Sequence, residues 1–235
     1  APHFTEALFD FGSGDKVVGV SAADARPAEA TAIPRPVTAD GFTPDPAAII
    51  ALDPHVVITS LEGGEWKQPV RQAGIHVVTL RASGLEDAAR DLRIVGRISG
   101  FALSADKLAA RMHSRLKELD LATVKTRPKV FVETAYPPPA TAEDSYMTEL
   151  ITAAGGVMLV PGPGYTVVSG EQLQEMAPEV IVIGADPDSP PERPEYARLT
   201  AAGTRLVYVP PDTLFLPGPR LLEAIELISK GIQSG

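Results

Sequence analysis

Short, almost unbroken apolar runs alternate along this 235-residue chain with stretches whose apolar positions recur at helical spacing. Val180-Ile181-Val182-Ile183 is the clearest run, and its lack of polar interruption predicts a strand buried on both faces. Similar runs predict strands over 17–20, 56–60 and 76–80 in the first half, and over 129–133, 156–160, 180–184 and 205–209 in the second. Leu85, Ala88, Ala89, Leu92, Val95 and Ile98 recur at helical spacing and predict a helix over 85–99. Beyond Gly100, the stripe Leu108, Ala109, Met112, Leu116 and Leu119 predicts a second helix from about Ser104 to Leu121, with Ser104 as its N-cap. Some 18 helical residues reach about 27 Å, enough to bridge two lobes.

The pattern occurs twice. Ala48–Thr59 reads as a short helix, a proline break and a buried strand, and Gln172–Ile183 repeats it 124 positions later. Each copy leads through an Ala-Gly turn into a further strand, with Gly74 and Gly203 at the turns, 129 positions apart. Ahead of each copy lies a Thr-Glu helix that ends in glycine, Thr5–Gly12 and Thr148–Gly155. Three landmarks in one order mark a duplicated α/β unit with helices covering parallel strands. The expected architecture is two similar Rossmann-like lobes: residues 1–99, a bridging helix over 100–123, and residues 124–235, with the ligand cleft between the lobes.

Composition narrows the function classes. A net charge of -9 argues against nucleic acid as a partner. The absence of cysteine excludes thiolate metal sites, disulfides and cysteine nucleophiles. No apolar run approaches the roughly 18 residues of a membrane-spanning helix. Ala1–Glu6 lacks the charged start and apolar stretch of a signal peptide. The 23 scattered prolines suggest stiffened loops.

The loops after the strands are the candidate ligand surface: Ser60–Trp66, Thr134–Pro139, Pro161–Thr166 and Pro210–Phe215. They hold Trp66, Tyr136 and Tyr165, whose flat faces and polar tips suit a large planar ligand. No nucleophile elbow, phosphate-binding glycine loop or dinucleotide fingerprint is present, so an enzyme is not expected. His3, His55, His76 and His113 show no ligand spacing, which speaks against a bare-metal site. A chelated metal remains compatible, because a chelator supplies most of the ligands.

Four blocks carry a family resemblance: Thr5–Val20, Asp45–Ile58, Gly155-Gly156 with Val168–Leu173, and Pro217–Ala224. They resemble the helical-backbone class of solute-binding proteins of ABC importers, whose members carry vitamin B12, ferric siderophores or haem. The similarity spans nearly the whole chain, and it implies a first strand preceding Ala1. It also implies a periplasmic or lipid-anchored extracellular monomer that delivers a cobalt or iron chelate to a membrane permease and holds no cofactor of its own.

The same resemblance implies Glu171 as a permease-docking carboxylate. Strict spacing puts its first-lobe counterpart on Lys67, so that Glu65 or Glu62 takes the role. Against the B12-binding branch, Tyr165 matches a lining aromatic and Asp212 a polar contact. Leu61 replaces an aromatic, with Trp66 nearby, and Phe215 completes the expected set. Leu216 stands where that branch carries arginine, and Ala22–Arg26 lacks its aromatics. A corrinoid or ferric siderophore comes first. Alternatives are haem, with Arg26, Arg35 and Arg81 meeting its carboxylates and Tyr136 or Tyr165 as axial ligand, a bare-metal receptor, and a two-lobed α/β enzyme.

Overall fold

Gly12 closes the first helix, α1 (Pro2–Phe11), in a left-handed conformation at φ 89°. Its amide donates to the Phe9 carbonyl at 2.9 Å, and the Ser13 amide donates to that of Leu8 at 2.8 Å, which satisfies the helix's last carbonyls. The computed structural model describes residues 1–121, 127–136, 140–142, 145–159 and 165–233. Two units emerge: Ala1–Ala82 with Glu86–Arg111, and Ser83–Leu85 with Met112–Gly235.

In the first unit, α2 (Pro46–Ala51) starts where the Asp45 carboxylate accepts the Ala47 and Ala48 amides, with Pro46 at its first position. Strand β1 (Val56–Thr59), helix α3 (Lys67–Gln72) and strand β2 (His76–Thr79) follow, and the two strands pair in parallel. Ile49, Trp66, Val70 and Ile75 form a buried cluster beside them. Residues 17–20 are not a strand. Val20 donates one hydrogen bond to Pro34, and the facing segment Ile33–Pro36 carries two prolines that cannot donate to a ladder.

Helix α4 (Leu85–Ser99) matches its predicted bounds, and α5 (Ala102–Leu121) begins two residues before Ser104. Ser104 therefore lies within the first turn of α5 and is not its cap. Gly100, at φ 84°, turns the chain between the helices. Gly96 lets them cross closely, since a Cβ there would lie 2.2 Å from the Ala105 Cβ. The division between the units falls inside α5, after Arg111. Among the described residues no helix is long and apolar enough to cross a membrane.

The second unit comprises β3 (Lys129–Glu133), β4 (Ala140–Ala142), α6 (Ser145–Ala153), β5 (Val157–Met158), β6 (Tyr165–Val167), α7 (Gly170–Met176), β7 (Val180–Gly184), α8 (Ala197–Ala201), β8 (Arg205–Val209), α9 (Pro211–Leu214) and α10 (Leu221–Gln233). Four strands form a parallel sheet in the order β5-β3-β7-β8, with Ile181 in register between Phe131 and Leu206. Phe131, Leu173, Ile181, Ile183, Tyr196 and Leu199 fill one core, and α10 buries Leu221, Ala224, Ile225, Ile228 and Ile232. The expected strand over 156–160 shortens to two residues. The antiparallel pair β4–β6 was not anticipated. Parallel strands covered by helices make each unit α/β.

Candidate functional site

In open parallel sheets, ligands meet the loops beyond the carboxyl ends of the strands. Besides the link that follows β2, two loops of the first unit occupy that edge. One is Ser60–Glu65, directly after β1. The other is Val37–Pro44, which precedes α2: a helix that feeds a parallel strand through so short a link runs back along it, and its start lies at the strand's carboxyl end.

The Val37–Pro44 loop is built around one carboxylate. Asp40 accepts from the Thr38 hydroxyl at 2.7 Å, the Phe42 and Thr43 amides at 2.9 Å each, and the Thr43 hydroxyl at 2.6 Å. These bonds, that of the Thr43 hydroxyl foremost, hold its carboxyl well below the usual range. The loop presents Phe42, which is 83% exposed. Sequence reasoning missed Phe42, although Thr38-Ala39-Asp40-Gly41 carries a turn signal.

Leu61 is 51% exposed in the companion loop. Trp66 is not available there in the same way. Only 7% exposed, it packs with Ile49, Val70 and Ile75. Gly64, at φ 118°, lies so close to the indole that a Cβ would sit 2.4 Å from Nε1. Lys67 is buried, and its ammonium donates to the Leu61 carbonyl, to that of Glu62 at 2.7 Å and to the Thr79 hydroxyl at 3.1 Å. Where spacing called for an acid, the chain has a cation that ties the loop to β2. Glu62 pairs with Arg81 at 3.2 Å, and Glu65 is exposed.

In the second unit, Glu133 ends β3 and is 4% exposed. Arg193 grips it from Nε, at 3.1 Å to each oxygen, and from Nη2 at 2.7 Å, while the Tyr196 hydroxyl donates at 2.6 Å. Burial, reinforced by that hydrogen bond, pushes the Tyr196 phenol far up, so it stays a donor. Tyr136, half-buried, stacks on Arg193 with the guanidinium carbon 3.9 Å from the ring centre. Tyr136 was expected at this edge. Glu133 and Arg193 were not, and their 60-residue separation leaves no local signal.

Asp212 sits in the first turn of α9 and pairs with Arg220 at 2.9 Å. Phe215, half-buried, covers the carboxyl end of β7, where a Cβ on Gly184 would lie 2.4 Å from its ring. Tyr165 pairs through its backbone with Ala142, and its side chain lies outside the described residues, as do Pro137–Pro139 and Pro161–Gly164. Glu171 is exposed in the first turn of α7, behind a capping box of Ser169 and Gln172.

Arg35 donates to the carbonyls of Ser21, Ala22 and Asp24. Burial pushes the His3 imidazole down to about 3, so it is neutral near pH 7. No cluster of three or more metal-ligating side chains occurs among the described residues. A cavity of about 490 Å³, lined by Pro178, Glu179, Thr204 and Arg205 among others, lies at the opposite, amino end of β7 and β8, and its lining includes none of the predicted site residues. The carboxyl edges thus offer apolar and aromatic faces, while the nearby arginines are engaged within their own unit.

Comparison with known proteins bears on the family and the fold. A family model described as "Periplasmic binding protein" matches residues 2–214. The chain is 27% identical over 248 residues to an uncharacterized ABC transporter substrate-binding lipoprotein, YvrC, of Bacillus subtilis, covering 98% of this chain and 77% of that protein. It is 28% identical over 245 residues to a vitamin B12-binding protein of Pectobacterium atrosepticum, covering 97% and 85%. The crystal structure of the periplasmic vitamin B12 binding protein BtuF of Vibrio cholerae superposes with a TM-score of 0.83 at 22% identity, covering 100% of this chain and 94% of that one.

Proposed function

The chain belongs to the periplasmic binding protein family, and from that premise we propose that it is the extracytoplasmic receptor that hands a corrinoid-type metal chelate to an ABC permease. Its relatives are named as ABC transporter substrate-binding and vitamin B12-binding proteins, which supports a transport role with a permease as partner. The family and its solved neighbour are binding proteins, not enzymes.

The observation that carries the choice of ligand is the state of the arginines. Arg35 is taken up by three carbonyls, Arg81 by Glu62, Arg193 by Glu133 and Arg220 by Asp212. Of the three arginines that the haem reading relies on, Arg35 is thereby committed, while Arg81 is held by an exposed ion pair alone. A haem or anionic siderophore brings carboxylates that need free cations. A corrinoid, whose rim carries amides, asks mainly for apolar faces and hydrogen-bonding groups. Leu61 and Phe42 supply such faces in the first unit, and Tyr136 with Phe215 supplies them in the second. The metal belongs to the cargo, and the chelator supplies most of its ligands.

Thermal-shift and calorimetric titration with cyanocobalamin, haemin and ferric siderophores tests the reading. A bound chelate at a hundredfold excess over its Kd stabilises by about 2.7 kcal/mol. Cyanocobalamin is expected to give the largest shift. Preference for haemin would overturn the corrinoid assignment, and no response to any chelate would overturn the receptor reading.

A further inference from the structure

We propose that Arg193 is a positioning residue that holds the ring of Tyr136 in place for the bound chelate, which rests on the receptor function proposed above. Glu133, Arg193 and Tyr196 form a buried cluster at the carboxyl end of β3, with side-chain exposures of 4% for Glu133 and 12% for Arg193. Burying such a pair is a poor way to gain stability, because the desolvation of both charges offsets most of their attraction. Apolar side chains of similar volume do as well for the core.

The pair achieves something apolar packing does not: it fixes a plane. Nε and Nη2 of Arg193 face the Glu133 carboxylate, and Nη1 donates to the Glu192 carbonyl at 3.1 Å. The Tyr196 hydroxyl holds the carboxylate from another direction. With donors on all three of its nitrogens engaged, the guanidinium is fixed in place, and its carbon lies over the Tyr136 ring, 3.9 Å from the ring centre. Tyr136 stands three residues beyond β3 and is only half-buried, so part of its ring remains for a ligand. Arg193 therefore does not meet the ligand as a cation. It acts through Tyr136, setting the ring's orientation before the ligand arrives.

A double-mutant cycle separates this from a merely structural role. Cyanocobalamin affinity is measured for wild type, Arg193→Lys, Tyr136→Ala and the double variant. Lysine keeps the charge but lacks the planar fork. Each single change is expected to weaken binding about tenfold, and the double variant no more than either alone. In the ligand-free protein, the ring signals of 13C-labelled Tyr136, assigned by their loss in Tyr136→Ala, are expected to move in Arg193→Lys. Losses that multiply to about a hundredfold, an Arg193→Lys variant with wild-type affinity, or unmoved Tyr136 signals would each overturn the proposal. Should Arg193→Lys not fold, Glu133→Gln, which releases the same fork, takes its place in the cycle. Wild-type protein that binds no chelate defeats the receptor function before any variant is made, and this inference with it.

Discussion

Asp53 and Ala177 hold the same left-handed backbone conformation, at φ 48° and 47°, and each stands directly before a proline that leads into a parallel strand. The proline bars the preceding residue from the helical region, so each helix must stop there. The left-handed turn redirects the chain into the strand within a few residues. For a residue with a Cβ that conformation costs about 1–2 kcal/mol. Ala177 has no polar side chain to offset it. Ala177→Gly is therefore expected to raise stability by about 0.5–1 kcal/mol, after the entropy glycine adds to the unfolded chain is subtracted. Thermal and denaturant unfolding of the two proteins measure this. A less stable glycine variant would show that the strain lies elsewhere.

The equivalence of these residues explains why the duplication was legible. Proline, glycine and unbroken apolar runs act locally, so the Ala-Gly turns at Gly74 and Gly203 and the strands over 129–133, 180–184 and 205–209 could be read directly. What depends on distant partners could not. Three-residue strands such as β4 and β6 have too few positions to show a period. Trp66 lies at the end of an exposed run and still turns inward, because Gly64 folds the loop back on its ring. Phe42 looks like an ordinary loop aromatic until the Asp40 bonds show how it is held outward. The Glu133–Arg193 pair depends on β3 and β7 being neighbours in the sheet, which no local pattern states.

Lys67 offers a direct test of the loop it fastens. Replacing it with methionine keeps an unbranched apolar stem and removes the ammonium from the Leu61 and Glu62 carbonyls and the Thr79 hydroxyl. Losing a charged donor to three part-buried acceptors is expected to cost about 1–3 kcal/mol in denaturant unfolding. Chelate affinity should fall as well, because Leu61 loses its fixed position. Unchanged stability in Lys67→Met would mean that water replaces the ammonium without loss.

Phe42 and Asp40 make a paired prediction. Phe42 is exposed, so Phe42→Ala should leave the melting temperature unchanged while weakening chelate binding about tenfold through the lost apolar contact. Asp40→Ala should weaken binding too, by loosening the loop that presents the ring. The pH dependence follows from the direction of the Asp40 shift. Its folded carboxyl titrates below the unfolded value, so its contribution is present above that value, about 4, and is lost as pH falls further. The contribution of Asp40 to affinity should therefore stay constant from neutral pH down to about 5, and affinity should decline below about 4 in wild type more than in Asp40→Ala. Equal acid sensitivity in the two proteins would remove Asp40 from the mechanism.

Glu171 separates docking from ligand binding. It is exposed in the first turn of α7, while the cap of that helix is made by Ser169 and Gln172, so neither the fold nor the cap depends on the carboxylate. Glu65 is likewise exposed in the first unit, whereas Glu62 is already paired with Arg81. If the two carboxylates meet basic pockets on the permease, their removal acts on association alone. Glu171→Ala and Glu65→Ala are each expected to leave chelate affinity and melting temperature unchanged and to lower stimulation of the reconstituted transporter, with a larger loss in the double variant. Because exposed charges are screened within about 10 Å at 0.1 M salt, the difference from wild type should shrink as ionic strength rises. A loss of chelate binding in Glu171→Ala, or a transport defect indifferent to salt, would contradict electrostatic docking through this residue.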